Sequence, residues 1–217
     1  MIFIESKRKS IKAILKKYPA ASIIDLTSQS NEPWVKFSPF YPHGNIPIPN
    51  SINQYSMSVE GIWQGLKVFK NHDVDISKFD ISNMKGLKRT IQKFGYPIGH
   101  KYGTDGSEIL DYLTARKKIY LPTYFWVIEN KLQELIQILL EKADKTDIVF
   151  LDFETNEDIE NINKPLSHAS IIKNYIFQKT PNVVKMSNTT FESNIPSSKE
   201  NKKIKNFNAN QTILNLD

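Results

Sequence analysis

The spacing of apolar residues along the chain predicts several helices and a few short strands. Apolar residues that recur every three or four positions indicate helices, whereas short apolar runs between turn residues indicate strands. Proline and glycine mark where an element ends. We predict helices over residues 5–17, 59–69, 83–93, 107–120, 122–143 and 166–177, and strands over residues 22–26, 34–37 and 148–151.

The longest predicted helix, over residues 122–143, has a clear pattern. Pro122 suits its first turn, where a missing backbone N–H costs nothing. A broad apolar face follows, made of Trp126, Ile128, Leu132, Leu135, Ile136, Leu139 and Leu140. Residues 38–49, by contrast, contain four prolines, which exclude a helix and predict an irregular loop.

Length and composition favour one domain. The 217 residues are 40% hydrophobic, which is enough to bury a core of ordinary size. Because helices dominate the predicted elements, we expect an α+β fold, a mostly helical single domain with a small β-sheet over residues 1–178. Residues 179–217 are rich in Asn, Ser, Lys and Thr, and such segments do not repay the entropy of folding. They are predicted to be a disordered, polar, basic tail.

The charge distribution bears on whether a nucleic acid is a partner. The formal net charge is +6, but residues 179–217 hold six lysines against three acidic residues, so the predicted domain is only mildly basic. The tail is interpreted either as a weak electrostatic tether to an anion such as a nucleic acid or as a solvated extension.

Several kinds of chemistry are excluded by residue types. The chain lacks cysteine, which excludes disulfides, thiolate zinc sites and cysteine nucleophiles. The four histidines have no metal-binding spacing, so we predict neither a metal nor a cofactor. The sequence has no run of eighteen apolar residues and no secretory signal pattern, so no membrane partner is expected and the predicted location is cytoplasmic.

The predicted helix that begins at residue 59 carries the strongest candidates for chemistry. Ser58 is a suitable N-cap, and Glu60 lies in the positive first turn. Trp63, Gln64 and Lys67 follow at i+3, i+4 and i+7, which places all four side chains on one face. That face points either to solvent or into a polar pocket, and the central tryptophan favours the pocket.

Two segments of the chain resemble a known family. Residues 37–42 read FSPFYP, and residues 55–69 read YSMSVEGIWQGLKVF. Together they resemble the signature of the NADAR superfamily, which combines an SPFYP motif with a YPSVEHxxQAxKF motif. Gly61 stands where that family usually has histidine. The resemblance covers residues 34–160, where basic, arginine-bearing and acidic segments follow in the family's order.

The resemblance implies a fold and an activity. NADAR members cleave N-glycosidic bonds in ADP-ribose-type and phosphoribosyl-amine compounds, so a NADAR-like, metal-independent hydrolase of an ADP-ribosyl or phosphoribosyl-type nucleotide is implied. Such cleavage passes through an oxocarbenium-like state, which a carboxylate stabilises. Glu60 is then the central catalytic carboxylate. Asp152 and Asp158 are alternatives for a second carboxylate, and both are otherwise interpreted as parts of a solvated acidic turn.

The same resemblance implies which residues bind the substrate. Trp63 would stack on a base, while Gln64 and Lys67 would hold ribose hydroxyls or phosphate. The basic candidates for phosphate are Lys88, Arg89 and Arg116, since a guanidinium group suits bidentate recognition.

Loop residues complete the candidate set. Tyr41 belongs to the SPFYP motif, and His43 follows it in the proline-rich loop, from which binding groups are often presented. His43 and His100 are each interpreted either as catalysts or as local hydrogen-bonding residues.

Two other functions stay open at this point. A non-catalytic module would bind ADP-ribose or a nucleotide through the same residues. A processor of ADP-ribosylated or otherwise modified nucleic acid would use the basic tail and the N-terminal helix to approach the polymer.

Overall fold

The computed structural model describes residues 1–179. The strands are β1 (Ile2–Ser6), β2 (Ser22–Asp25), β3 (Ile46–Pro47), β4 (Tyr55–Ser56), β5 (Lys67–Phe69), β6 (Pro97–Lys101), β7 (Ile109–Leu110) and β8 (Ile148–Asp152). The α-helices are α1 (Ile11–Lys17), α2 (Val59–Gly65), α3 (Ile91–Phe94), α4 (Tyr112–Ala115), α5 (Leu121–Lys131), α6 (Gln133–Lys145) and α7 (His168–Lys179). A π-helical turn at Arg116–Tyr120 joins α4 to α5, and 3-10 turns occupy Trp34–Phe37 and Ile76–Lys78.

A parallel sheet with the strand order β1-β8-β2 forms one side of the core. The central strand β8 is buried along its whole length, which explains its continuous apolar sequence. Because the strands are parallel, their carboxyl ends lie at the same edge of the sheet. The strands predicted over residues 22–26 and 148–151 are confirmed.

The prediction of a helix over residues 5–17 is wrong for the first half of that range. Ile2–Ser6 forms β1, and α1 begins only at Ile11, after Ser10 Oγ accepts a hydrogen bond from the backbone N–H of Ala13 at 3.2 Å. β1 is stabilised by pairing with β8, near the other end of the described chain. Local periodicity carries no information about so distant a partner.

Two other predicted elements are also wrong. Trp34–Phe37 is a 3-10 turn instead of a strand, with the N–H of Lys36 bonded to the carbonyl of Pro33 at 3.2 Å. The helix predicted over residues 83–93 is reduced to the single turn α3. Met84 and Gly86 have φ angles of 60° and 70°, and such left-handed values interrupt a right-handed helix.

The helix predicted over residues 59–69 ends at Gly65. This glycine packs so closely on Phe79 that an added Cβ would lie 2.2 Å from the ring. The chain then extends into β5, which pairs with β6 so that Lys67 lies opposite His100. Lys67 therefore lies on a strand that follows α2, which corrects the prediction of a helical position for it.

The helices predicted over residues 107–120 and 122–143 begin and end at other residues in the structure. Asp111 caps α4, because its Oδ1 accepts hydrogen bonds from the N–H groups of Leu113 and Thr114 at 2.9 and 3.0 Å. Helical structure then continues without a break through the π-helical turn to the end of α5. Leu132, with φ −122° and ψ 7°, separates α5 from α6. The helix predicted over residues 166–177 is α7, shifted by two residues.

The described residues belong to one compact unit and combine helices with three small sheets, as the α+β prediction requires. The main core lies between the parallel sheet and helices α2, α5, α6 and α7. Within residues 1–179, no helix combines the length and the apolar character needed to cross a bilayer. Apart from Lys179, the residues of the predicted disordered tail lie outside the described part of the chain.

Candidate functional site

Glu60 is a buried carboxylate at the start of α2. Ser58 Oγ caps the helix by accepting a hydrogen bond from Gly61 N at 3.0 Å, and Glu60 N bonds to the carbonyl of Pro39 at 2.8 Å. Only 8% of Glu60 is exposed. Burial raises the pKa of this carboxyl, while the charges of Lys67 and Lys88 act in the opposite direction. A group with such a perturbed pKa at a helix N-terminus is a candidate for chemistry.

Gly61 allows α2 to pack closely at this point. An added Cβ would lie 2.7 Å from both the carbonyl oxygen of Lys78 and Ser56 Oγ. A histidine, which the NADAR pattern has at this position, would therefore require the backbone to move.

Gln64 connects Glu60 to the basic side of the site. Its Nε2 donates to Glu60 Oε1 at 2.8 Å, and its Oε1 accepts from Lys67 Nζ and from Arg89 N, each at 3.0 Å. These partners fix the orientation of the amide, because only nitrogen donates and only oxygen accepts. The second carboxylate oxygen of Glu60, Oε2, has no protein hydrogen-bond partner within the described residues. The network thus leaves one oxygen of a buried carboxylate available to a ligand.

Lys67 and Lys88 supply positive charge near this carboxylate. Lys67 is half-buried, and burial lowers its pKa although the charge of Glu60 raises it. Lys88 is exposed, with Nζ 5.6 Å from the centre of the Phe40 ring. Both lysines retain hydrogen-bonding capacity, since each ammonium group has three donors.

Arg89 is a structural part of the site. Its buried guanidinium group donates to the carbonyl oxygens of Lys67 and, at 2.9 Å, of Asp73. The same group lies 4.7 Å from the centre of the Phe69 ring. The main partners of Arg89 are therefore backbone carbonyl oxygens, and these contacts hold the segment that follows α2 in place.

Arg116 is also held by backbone carbonyls. Its guanidinium group donates to Ile159 O and, at 3.0 Å in each case, to Asn161 O and Lys164 O. The residue is buried, and its guanidinium carbon lies 4.9 Å from the centre of the Tyr112 ring. Arg116 therefore organises the loop over residues 159–164.

Trp63 lies at the centre of an aromatic cluster next to Gln64. Its ring stacks on the imidazole of His100, with 3.8 Å between the ring centres. The edges of Tyr112 and Tyr120 approach it at centre distances of 5.8 and 5.6 Å. Trp63 is half-buried, so the face of α2 that carries Glu60, Trp63 and Gln64 is not the solvated face of a surface helix.

Asp152 lies in a second polar cluster, at the carboxyl end of β8. Its Oδ2 accepts hydrogen bonds from Ser167 Oγ at 2.7 Å and from Ala169 N at 3.3 Å, and lies 3.0 Å from His168 Nδ1. Burial raises the pKa of Asp152, but the charge and hydrogen bonds of its partners outweigh burial and lower it to about 2. Asp152 is thus an ionised carboxylate whose Oδ2 receives all three of these contacts.

His168 bonds through both ring nitrogens. Besides the contact of Nδ1 with Asp152, its Nε2 lies 2.8 Å from the carbonyl oxygen of Leu26. Both partners are hydrogen-bond acceptors, so both nitrogens donate when the ring is protonated as an imidazolium. Burial lowers the pKa of His168, whereas Asp152 raises it, and the net direction is upward. Asp152 is a candidate from the sequence, whereas His168 is not, because nothing in the sequence places this histidine beside the end of β8.

Tyr120 connects the two clusters electrostatically. Burial, followed by the charges of Glu60 and Asp152, raises its pKa well above the usual value. Asp152 is therefore near enough to act on the same tyrosine as Glu60. Asp158 is exposed, and its Oδ1 accepts a hydrogen bond from Glu160 N at 2.9 Å in a surface turn. Of the two acidic alternatives, the structure buries Asp152.

Tyr41 and His43 make their polar contacts with the preceding turn. Tyr41 Oη donates to Glu32 Oε1 at 3.1 Å, and His43 Nε2 lies 2.8 Å from the carbonyl oxygen of Lys36. Their rings are 4.8 Å apart. These contacts secure the proline-rich loop whose Pro39 carbonyl bonds to Glu60 N.

The described residues contain no group of three or more His, Cys, Asp and Glu side chains that is placed to hold a metal ion. The groups that act on Glu60 are the amide of Gln64 and the positive charges of Lys67, Lys88 and His168. Such a set suits an anionic organic ligand better than a metal cation.

Comparison with known proteins gives a family without an assigned activity. In the comparisons with curated proteins and with solved structures, nothing matches the chain. A family of unknown function (DUF6939) matches residues 6–172, a range that contains both Glu60 and the Asp152–His168 pair. The chain belongs to this family of unknown function, DUF6939.

Proposed function

We propose that the protein is a hydrolase that cleaves an N-glycosidic bond in an ADP-ribosyl or phosphoribosyl-type nucleotide, with Glu60 as the central carboxylate. The observation that carries this proposal is the state of Glu60, which is buried, held at one oxygen by Gln64 and without a hydrogen-bond partner among residues 1–179 at the other. As the anomeric carbon separates from nitrogen, positive charge develops on the sugar. A fixed carboxylate stabilises that charge or orients the attacking water.

The basic residues near Glu60 support a phosphate-bearing substrate. Arg89 and Arg116, expected to bind phosphate, donate instead to backbone carbonyls. We therefore assign phosphate binding to Lys67 and Lys88, whose charges act on Glu60. The NADAR-like fold and mechanism are part of the same proposal, and the motif resemblance around Glu60 supports them.

A non-catalytic ADP-ribose or nucleotide-binding module is the second candidate. It is favoured by the ion pair of Asp152 with His168, because this pair occupies Asp152 Oδ2 and offsets the charge of the carboxylate that was expected to assist Glu60. The processing of ADP-ribosylated or modified nucleic acid is a further proposal, and it rests on a basic tail that lies outside the described residues.

The two main candidates differ in turnover. The full chain is incubated with NAD-derived and ADP-ribosylated nucleobase compounds, and released base is detected by chromatography. A hydrolase releases base in proportion to time and enzyme. Binding of ADP-ribose without release of base from any compound in the set would support the module and contradict the hydrolase.

A further inference from the structure

His100 is a buried histidine without a polar partner. It lies on β6 opposite Lys67, and only 2% of it is exposed. Both ring nitrogens are enclosed, and neither has a hydrogen-bond partner within residues 1–179. Buried polar atoms are almost always paired in folded proteins, because an unpaired one destabilises the fold. A phenylalanine would avoid this cost, so the histidine needs another explanation.

The surroundings of His100 keep its ring neutral. Burial and the nearby charge of Lys67 lower its pKa to about 3. A neutral imidazole offers one N–H donor and one acceptor nitrogen. It does not serve as a counter-charge for phosphate, whereas it can both donate to and accept from a hydroxyl group.

The position of His100 connects it to the Glu60 site. On neighbouring antiparallel strands, residues directly opposite each other present their side chains to the same face, and here the opposite residue is Lys67. Lys67 Nζ in turn bonds to Gln64, the partner of Glu60. The imidazole also stacks on Trp63, which precedes Gln64 on α2. Two independent contacts thus place the imidazole beside Lys67 and Trp63, next to the Glu60–Gln64 pair.

We propose that His100 is a specificity-determining residue of this site, whose ring nitrogens hydrogen bond to a sugar hydroxyl of the ligand. The inference rests on the proposed function for the identity of the ligand, and it adds the substrate group that is recognised. Both nitrogens are enclosed in the uncomplexed protein, so a ligand reaches them only when surrounding side chains move, among them the half-buried Trp63 that stacks on the imidazole. The uncomplexed protein carries the cost of the unpaired nitrogens, and binding of the ligand relieves it.

The test compares His100→Phe with wild type by thermal unfolding and by calorimetric titration with ADP-ribose. Phenylalanine keeps a flat ring against Trp63 and removes both polar atoms. We expect a melting temperature equal to or above that of wild type, together with an affinity for ADP-ribose about tenfold weaker, the effect of one lost hydrogen bond. His72→Phe is the matched control, because His72 is exposed and packs against Phe94, and it should bind as wild type does. Equal affinity of His100→Phe and wild type would overturn the inference.

Analogues of ADP-ribose that each lack one hydroxyl of a ribose identify the contacted group. Wild type should bind one of them about tenfold more weakly than ADP-ribose, and His100→Phe should not distinguish the two ligands. If the phenylalanine variant does not fold, the pair His100→Gln and His100→Leu replaces it, with only glutamine retaining a donor and an acceptor. The proposal would be overturned if wild type and the His100 variants bound ADP-ribose and all of its analogues with equal affinity. It would also be overturned if wild type did not bind ADP-ribose.

These titrations do not depend on turnover. Binding through His100 without release of any base would remove the proposed hydrolase activity and leave the inference about His100 in place. Release of base with no contribution of His100 to affinity would leave the proposed hydrolase activity in place and remove the inference about His100.

Discussion

Gln64 Nε2 donates a hydrogen bond to Glu60 Oε1 over 2.8 Å, one helical turn away along α2. The opposite end of the same amide accepts from Lys67 and from the backbone of Arg89. A single neutral side chain therefore connects a buried carboxylate to the positive part of the site. Partners in a buried polar network depend on each other, so the loss of the amide should affect both ends.

Gln64→Ala should reduce the free energy of unfolding by about 1–3 kcal/mol, because it leaves Glu60 Oε1 and the N–H of Arg89 without partners. Urea unfolding measures this change. Gln137→Ala is the matched control, since Gln137 donates to Glu141 at the same helical spacing on an exposed surface. That variant should stay within about 0.5 kcal/mol of wild type. Equal effects of the two substitutions would show that the Gln64 network does not contribute to stability.

The Asp152–His168 pair predicts how stability depends on pH. The folded pKa of His168 is raised, so its contribution is complete below about pH 6.5, its unfolded value, and is lost as the pH rises through the folded value. The folded pKa of Asp152 is lowered to about 2, so its contribution is complete above about pH 3.9 and is lost as the pH falls toward 2. The pair should therefore stabilise the fold most between about pH 3.9 and about pH 6.5.

Urea unfolding between pH 5 and 9 tests the upper limit. Wild type should lose stability relative to His168→Gln as the pH rises, because the variant has no imidazolium to lose. NMR titration of the His168 ring in wild type gives a second readout. A His168 pKa at or below the ordinary value of about 6.5 would contradict the assignment of two donating nitrogens.

Arg116→Lys should destabilise the fold, because a lysine ammonium group does not reproduce the forked contacts with three carbonyl oxygens. We expect a loss of about 2 kcal/mol or more, since buried hydrogen bonds to a charged group are involved. Amide hydrogen exchange over residues 159–164 should become faster. Lys117→Met is the control, because its ion pair with Glu160 is largely exposed. Unchanged exchange in Arg116→Lys would show that this guanidinium group does not hold the loop.

The sequence predicts the elements whose signals are local. Ser58 as an N-cap, Glu60 in the first helical turn and the apolar strand that ends at Asp152 all follow from neighbouring residues. β1 is stabilised by a distant strand, and the strand that carries Lys67 is stabilised by β6, so local periodicity does not reveal either element.

The candidate site is predictable in part for the same reason. The spacing of Glu60, Trp63 and Gln64 on one helix predicts that they share a face. The roles of Arg89 and Arg116 do not follow from the sequence. An arginine that binds phosphate cannot be distinguished by sequence pattern from one that binds backbone carbonyl oxygens. His100 and His168 acquire their importance from partners, or from the lack of partners, that only the folded chain brings near.

The most direct test of the central claim is the turnover of Glu60→Gln on a compound from which wild type releases base. The account predicts that kcat falls by a factor of about 100–1000, the effect of removing a group that stabilises developing charge. The affinity for ADP-ribose should change little, and Glu129→Gln, an exposed carboxylate on α5, should retain full activity. Wild-type turnover in Glu60→Gln would contradict the account.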